Sequence, residues 1–458
     1  MRQERVVVGV FFALLLSVGL CLVGDYGVTN DEETQRNIGL TSVRYVAELF
    51  APTFVKTHRD LQNPEFVLRT FNDRDYGVAF ELPVAWADQV LGFKSSREVL
   101  LFRHLCTFLV CVGGVAGIYC LAKRRFRSWQ LGLVGALMLV LSPRLFGEMF
   151  YNSKDAVFLA AFALATNTVV AFVKQPDWRR AGGSALACAL AIDVRLMAVL
   201  LPAAATGLVL WRAAHGAYPG RRVVGRLAGY LGLLGALVVL FWPYLWENPP
   251  HNFYMALHDM ARFPRWNGTM LYAGEVVRGN QLPWHYGAVW IGITTPILYL
   301  IGFSAGAFLM LKQALRRGWR LFATDAEWQD LLFLGLTLAP LLVVVVLRSV
   351  LYDGWRQLYF VYGPLLLVSL RGLVALSRWR PRRPRWRVRV RQLGYAALGG
   401  TFLAMAGQIG AMHPLQNTYF NALAGRHVES RFEIDYWTGS YRQGLAWIVA
   451  HDRRPHLR

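Results

Sequence analysis

Three acids in succession, Asp31, Glu32 and Glu33, follow closely on an apolar run that ends near Val23. Carboxylates this near to lipid are costly unless they have a partner or a task. A second acidic site lies in "YNSKDAVFLA", where Lys154 and Asp155 immediately precede another apolar run. Asp155 alone fits an ordinary helix start, with Ser153 or Asp155 as the cap and an acid favoured by the helix dipole. The accompanying cations are not covered by that explanation. Arg144, Lys154, Arg195, Arg348 and Arg356 all map to one side of the chain's apolar runs, beside the acids. A carboxylate in such a place can take a proton from a hydroxyl. Arginine and lysine beside it can hold a phosphate or pyrophosphate through charge-assisted hydrogen bonds. Ion pairs among these groups are the other reading, and charge alone leaves the two open.

The elements that carry these groups are membrane helices. The chain of 458 residues is 55% hydrophobic and 17% charged, whereas soluble domains carry about a quarter charged residues. The net charge of +21 is scattered in short basic clusters between apolar runs. That is the pattern of a multi-spanning protein with cytoplasmic lysine and arginine, and it argues against a nucleic-acid partner. Runs long enough to span lie near Val6–Val23, Leu105–Ala122, Leu131–Pro143, Ala156–Val173, Leu186–Trp211, Leu227–Trp242, Ala288–Leu311, Leu331–Leu347, Leu358–Leu370 and Tyr395–Met412. With Leu186–Trp211 broken near Asp193 and Arg195, the expectation is about 11 transmembrane helices.

Basic clusters at the N-terminus and at 123–127, 174–180, 212–222, 312–320 and 378–391 mark the cytoplasmic side. The other side receives a first loop at 25–98, a second at 144–155, a third at 243–287, residues 348–357, and the segment from His413. The N-terminus is thus expected in the cytoplasm and the C-terminus in the periplasm, in a multi-pass inner (plasma) membrane protein. The first run is expected to be a retained span, being long for a signal peptide and lacking a small-residue cleavage site. The alternating basic and apolar residues of 378–391 suit an anchor on anionic lipid. Cys21, Cys106, Cys111, Cys120 and Cys188 all fall in apolar runs, so neither a disulfide framework nor a thiolate zinc site is expected.

The long first outer loop is amphipathic in parts. In "IGLTSVRYVAELFAPTFV", Ile38, Val43, Tyr45, Val46, Leu49 and Phe50 fall near one face at helical spacing; "VAFELPVAWADQVLGF" is a second such stretch. Both are expected as surface helices. The third loop is dense in Trp, Tyr, His and Pro. It fits an interfacial aromatic belt, or a groove for sugar rings or lipid built from His258, Trp284 and His285, with Tyr76 and Tyr352 from neighbouring loops. His251, His258 and His285 are too widely spaced to suggest a metal site. No cofactor is called for; the carboxylates could hold a divalent metal, but none is indicated.

These features together resemble the GT-C membrane glycosyltransferases, and most of all the branch with the protein O-mannosyltransferases and the lipid A aminoarabinose transferases. The resemblance rests on the acidic pair after the first span, the long first loop, and the second loop ending in Asn-x-Lys-Asp. It also rests on "RDYGVAFELP" (74–83), "RHL" (103–105), "LYDGWRQLYFVYGP" (351–364) and "HPLQNTYFNALAG…FEIDYWTGSYRQGLAW" (413–447). It implies an all-α polytopic fold, with residues 1–412 as the transmembrane glycosyltransferase domain and 413–458 as a short outer segment. It implies inverting transfer of a sugar from a polyprenyl-phosphate donor to an acceptor hydroxyl on a lipid, glycan or protein at the outer face. Asp31 matches the family's base, with Glu32 beside it, and Asp155 matches the second acidic motif. Lys154 and Arg356, then Arg144 and Arg195, are the candidates for the donor phosphate. The alternative is a transporter or flippase of a lipid-linked or anionic substrate. That reading needs charge at the bilayer midplane, where only Asp193–Arg195 qualifies, and it favours internal repeats, of which the sequence shows none.

Overall fold

The computed structural model describes residues 2–218, 220–263, 265–318, 324–379 and 384–452. Parts of three basic clusters read from the sequence, at 219, 319–320 and 380–383, lie outside the described residues.

Helix α1 (Arg2–Leu22) leads into the first long loop, expected on the outer side, which is largely helical: α2 (Asn30–Phe50), α3 (Pro52–Thr57) and α4 (Glu81–Leu91). Ala51 and Pro52 divide the first amphipathic stretch, so α2 ends before the run read from the sequence does. Ile38 and Val43 are buried as the spacing predicts, but Leu49 and Phe50 at the end of α2 are exposed. The second stretch forms α4, which stops at Gly92 in the left-handed conformation. A capping box of Ser95 and Glu98 starts α5 (Ser96–Phe126).

Helix α6 (Trp129–Val140) is followed by α7 (Pro143–Tyr151) at an angle of 74°. Residues expected as the second outer loop are therefore largely helix, and every residue of α7 is buried. The chain continues through α8 (Asp155–Lys174), α9 (Trp178–Val194), α10 (Leu200–Ala214) and α11 (Gly220–Phe241). The expected break at Asp193 and Arg195 is present: α9 ends at Val194, and Arg195 is extended before a 3-10 turn at Leu196–Val199.

The third loop read from the sequence holds α12 (Pro249–Arg262) and a hairpin of β1 (Thr269–Tyr272) and β2 (Glu275–Arg278), and α13 (Tyr286–Thr294) begins at its end. Thr269 pairs with Arg278 and Tyr272 with Glu275 in an antiparallel register. Ala273 and Gly274 both take positive φ in the two-residue turn, as such hairpins require. An isolated bridge from Tyr272 to Phe432 ties this hairpin to the C-terminal segment. The last helices are α14 (Ile297–Arg317), α15 (Asp325–Leu347), α16 (Tyr362–Ser377), α17 (Pro384–Ala411) and α18 (Tyr441–His451).

Among the described residues, 8 helices are long and apolar enough to cross a membrane, or 9 if the bent α6–α7 pair is one span. The sequence reading of about 11 also counted α9, which has 17 residues, and α17, whose apolar stretch is diluted by glycine and glutamine. Helix α9 packs against both α8 and α11. Helices α14 and α16 approach closely through small residues: a Cβ on Gly372 would collide with the Gly302 carbonyl. That contact fixes the helix that continues from the Arg356 turn. At the other side of the site, Gly77 lies so close to the Asp193 backbone that no side chain fits there. Asp193 Oδ1 accepts the Val78 amide at 2.9 Å, which seats the first outer loop on the break between α9 and α10.

Candidate active site

Helix α2 begins with Thr29, whose amide and hydroxyl both donate to Glu32 Oε2, at 2.7 and 3.1 Å. This arrangement buries Glu32 and holds Asp31, one residue earlier, at the edge of the helix, where 36% of its side chain stays accessible. The Arg356 guanidinium donates from Nη1 to Asp31 Oδ2 at 2.8 Å and to Asp155 Oδ2 at 3.2 Å. Its Nη2 donates to Asp353 at 3.0 Å. Arg356 is only 2% exposed and lies between the rings of Tyr352 and Trp437, at 4.7 and 4.8 Å from their centroids. Arg195 pairs with the other oxygen of Asp155.

Asp155 is positioned by Asn152, whose side-chain oxygen accepts the amides of Asp155 at 2.7 Å and Lys154 at 3.3 Å. The start of α8 is thus capped by Asn152 rather than by Ser153 or Asp155. Ser153 instead donates to Glu81 at 2.6 Å, and Glu81 pairs with the buried Arg103. The Lys154 ammonium sits 3.5 Å from the centroid of the Tyr76 ring. Burial first, and then the nearby Arg195 charge, lower the Lys154 amine from its usual range to about 7.

Lys154, Arg195, Tyr76 and Tyr352 line a cavity of about 310 Å³. Beyond this polar end its walls are apolar, including Leu196, Leu200, Leu257, Met260, Val343 and Leu347. Two cations in the lining of an otherwise mostly apolar cleft suit an anionic headgroup on a hydrocarbon chain.

Residues 87–246 match the family described as dolichyl-phosphate-mannose-protein mannosyltransferase. The match covers about a third of the chain and shows a similarity to that family over this segment. The matched segment carries Arg144, Lys154, Asp155 and Arg195; Asp31 and Arg356 lie outside it. A solved structure with the same fold is the archaeal oligosaccharyltransferase AglB from Archaeoglobus fulgidus, in complex with an inhibitory peptide and a dolichol-phosphate. It aligns with a TM-score of 0.53 at 10% identity, covering 97% of this chain. This chain spans 58% of the AglB chain's length. No curated protein sequence gives a significant match.

Within this fold the structure gathers Asp31, Lys154, Asp155, Arg195, Tyr76, Tyr352 and Arg356 into one site. The other residues singled out in the sequence lie elsewhere. Glu32 is 2% exposed, and its Oε1 lies 2.7 Å from His104 Nε2. Arg144 is buried on α7, donates to the Tyr419 carbonyl at 3.3 Å, and sits over the Trp290 and Phe420 rings. His258 is beside Asp259 on α12. His285 accepts or donates to the Tyr272 hydroxyl at 2.6 Å, and Trp284 is 76% exposed at a separate cavity.

Sequence reasoning missed Asp353 and Trp437 as partners of Arg356. The signal for Asp353 was available, since it stands three residues before Arg356 in "YDGWRQ". Trp437 was not accessible that way, because its position depends on how the C-terminal segment folds back. There the buried Glu148 accepts hydrogen bonds from Tyr359, Tyr436 and Trp437 at 2.9, 3.0 and 2.9 Å, pinning that segment to α7. Among the described residues, no group of three or more His, Cys, Asp or Glu side chains is arranged to hold a metal ion.

Proposed function

We propose that this chain moves a sugar from a polyprenyl-phosphate donor to an acceptor hydroxyl at the outer face of the inner membrane, with Asp31 as the base. The observation that carries this reading is the adjacency of an accessible, oriented carboxylate, Asp31, to a cation-lined mouth opening into an apolar cleft. The cleft takes the isoprenoid chain, and Lys154 and Arg195 take the phosphate. Asp31 accepts the proton of the acceptor hydroxyl as its oxygen attacks the anomeric carbon, and the bond from that carbon to the phosphate oxygen breaks. The phosphate leaves with the bonding pair, and the charge it gains is stabilised by fixed cations already in place. A single displacement inverts the anomeric centre. Arg356 orients Asp31 and Asp155 and balances their charge.

In this reading all eleven crossings are kept, with α9 and α17 among them, the N-terminus in the cytoplasm and the segment from His413 in the periplasm. Residues 1–412 form the transferase domain. Transport of a lipid-linked substrate has less support. It needs Asp193 as a working charge, and Asp193 is occupied in holding the Val78 amide.

The test is to supply membranes that contain the chain, and with them the acceptor, with polyprenyl-phosphate mannose, glucose or arabinose and follow donor consumption and polyprenyl-phosphate release. Turnover of at least one donor is expected. Intact donors in every case, together with translocation of a labelled lipid across proteoliposomes, would contradict the proposal and favour transport.

A further inference from the structure

A second and larger cavity, of about 570 Å³, opens between residues 68–75 of the first outer loop and residues 243–259 with Arg265 of the third. Its size is within the usual range of small-molecule sites, roughly 300–1,000 Å³. Nothing described so far uses it. It neighbours the donor cleft: Asp75 lines both. Arg265, at the inner end of the groove, lies 5.6 Å from the centroid of the Tyr76 ring, the same ring that carries Lys154. The inner end of the groove and the phosphate site therefore meet at one aromatic side chain.

The two cavities differ in charge. The donor cleft is lined by Lys154 and Arg195 against the single carboxylate of Asp75. The groove is lined by Arg69, Arg74 and Arg265 against Asp75, Glu247 and Asp259. Most of these are already paired: Arg69 with Glu247 at 2.7 Å, and Arg265 with Asp73 at 3.2 Å and Asp75 at 2.5 Å. A groove so balanced offers no field to draw in a phosphate-bearing acceptor. It does offer paired guanidinium and carboxylate groups, Asn72 and Asn252, all with hydrogen-bonding capacity for hydroxyls. Tyr45, Phe71 and Tyr244 supply aromatic faces among them, suited to the C–H faces of sugar rings. Its walls are too polar for an acyl chain.

We infer that this groove is the acceptor subsite and that the acceptor is a neutral glycan, an inference that rests on the glycosyl transfer proposed above. The glycan's terminal sugar enters past Asp75 and Tyr76 toward Asp31, and the units behind it lie along α12 and residues 68–75.

The experiment is photo-crosslinking of the full chain in nanodiscs with diazirine-bearing mannotriose, maltotriose and arabinotriose, and with a diazirine-bearing serine/threonine peptide. Labelled positions are read by peptide mass spectrometry, and polyprenyl-phosphate sugar consumption is measured on the same preparation. At least one trisaccharide should label segments 68–75 or 243–265, competed by the unlabelled sugar. Asn72→Trp, a bulky change at an exposed position, should cut that labelling at least fivefold. Labelling of these segments by the peptide and not by a trisaccharide would overturn the inference, as would trisaccharide labelling elsewhere, none at all, or labelling that Asn72→Trp leaves intact. Donor consumption without groove labelling removes the acceptor inference alone. Absence of donor consumption removes the transfer reading itself.

Discussion

Asp31 and Arg356 stand 325 positions apart in the chain, and the Arg356 guanidinium donates to the Asp31 carboxylate over 2.8 Å. The same nitrogen reaches Asp155 at 3.2 Å, so a single buried arginine joins the first outer loop to the start of α8. Its third carboxylate, Asp353, comes from its own turn. This makes Arg356 the group on which the geometry of Asp31 depends.

Replacing Arg356 with Gln leaves Asp155 beside Asp31 and Asp353 with one cation fewer. Turnover should fall by about 100-fold or more, the scale seen when a fixed electrostatic partner is removed from a site. Arg356→Lys restores charge without the two-pronged donor set and should recover only part of the rate. Steady-state assays on both variants check this, and equal activity of the Gln variant would refute it.

Donor binding should depend on pH through Lys154. With its amine lowered to about 7 by burial and by Arg195, Lys154 is charged below that value and neutral above it. The phosphodiester of a sugar–phosphate–polyprenyl donor keeps its single charge over the same range. The donor KM should therefore rise as pH increases from about 6 to about 8.5, and Lys154→Arg should flatten the profile, because arginine stays protonated throughout. A wild-type KM that is flat across this window would count against Lys154 as a phosphate ligand.

The apolar cleft predicts a dependence on the lipid tail. Leu200 lines the cleft beyond the cations, and Leu200→Trp should obstruct it. For a long-chain donor, KM should rise by about tenfold, equivalent to about 1.4 kcal/mol, while a donor with a very short chain should be affected much less. An equal effect on both chain lengths would place the tail elsewhere.

Glu32 holds the start of α2 through Thr29 and meets His104 in the interior. Glu32→Ala leaves those buried groups without a partner, at a cost of about 1–3 kcal/mol. A lower unfolding midpoint in detergent is expected, together with a smaller loss from Glu32→Gln, which keeps an acceptor for the Thr29 amide. An unchanged midpoint with abolished turnover would instead make Glu32 a reacting group.

The site was legible in the sequence where charge interrupted apolar runs. Asp31, Lys154, Asp155, Arg195 and Arg356 all stood out as charges at the ends of such runs, and the break at Arg195 was visible for the same reason. Burial was harder to read. Arg144 and Glu148 made 144–155 look like a loop, yet α7 buries both, because Glu148 collects four hydrogen bonds and Arg144 lies over two rings. The number of crossings was blurred by helices near the limits of length and hydropathy, such as α9 and α17. The hairpin at 269–278 carries only an Ala-Gly turn, and Trp437 reaches Arg356 through long-range folding that no local pattern encodes.

The central claim is that Asp31 takes the acceptor's proton. The most direct measurement is kcat for sugar transfer by Asp31→Asn, with the donor KM determined alongside. The account predicts a fall in kcat of about 10²–10⁴-fold, the usual worth of a positioned base, with the donor KM changed by less than about twofold, since Lys154 and Arg195 hold the phosphate. A variant that retains wild-type kcat would contradict it.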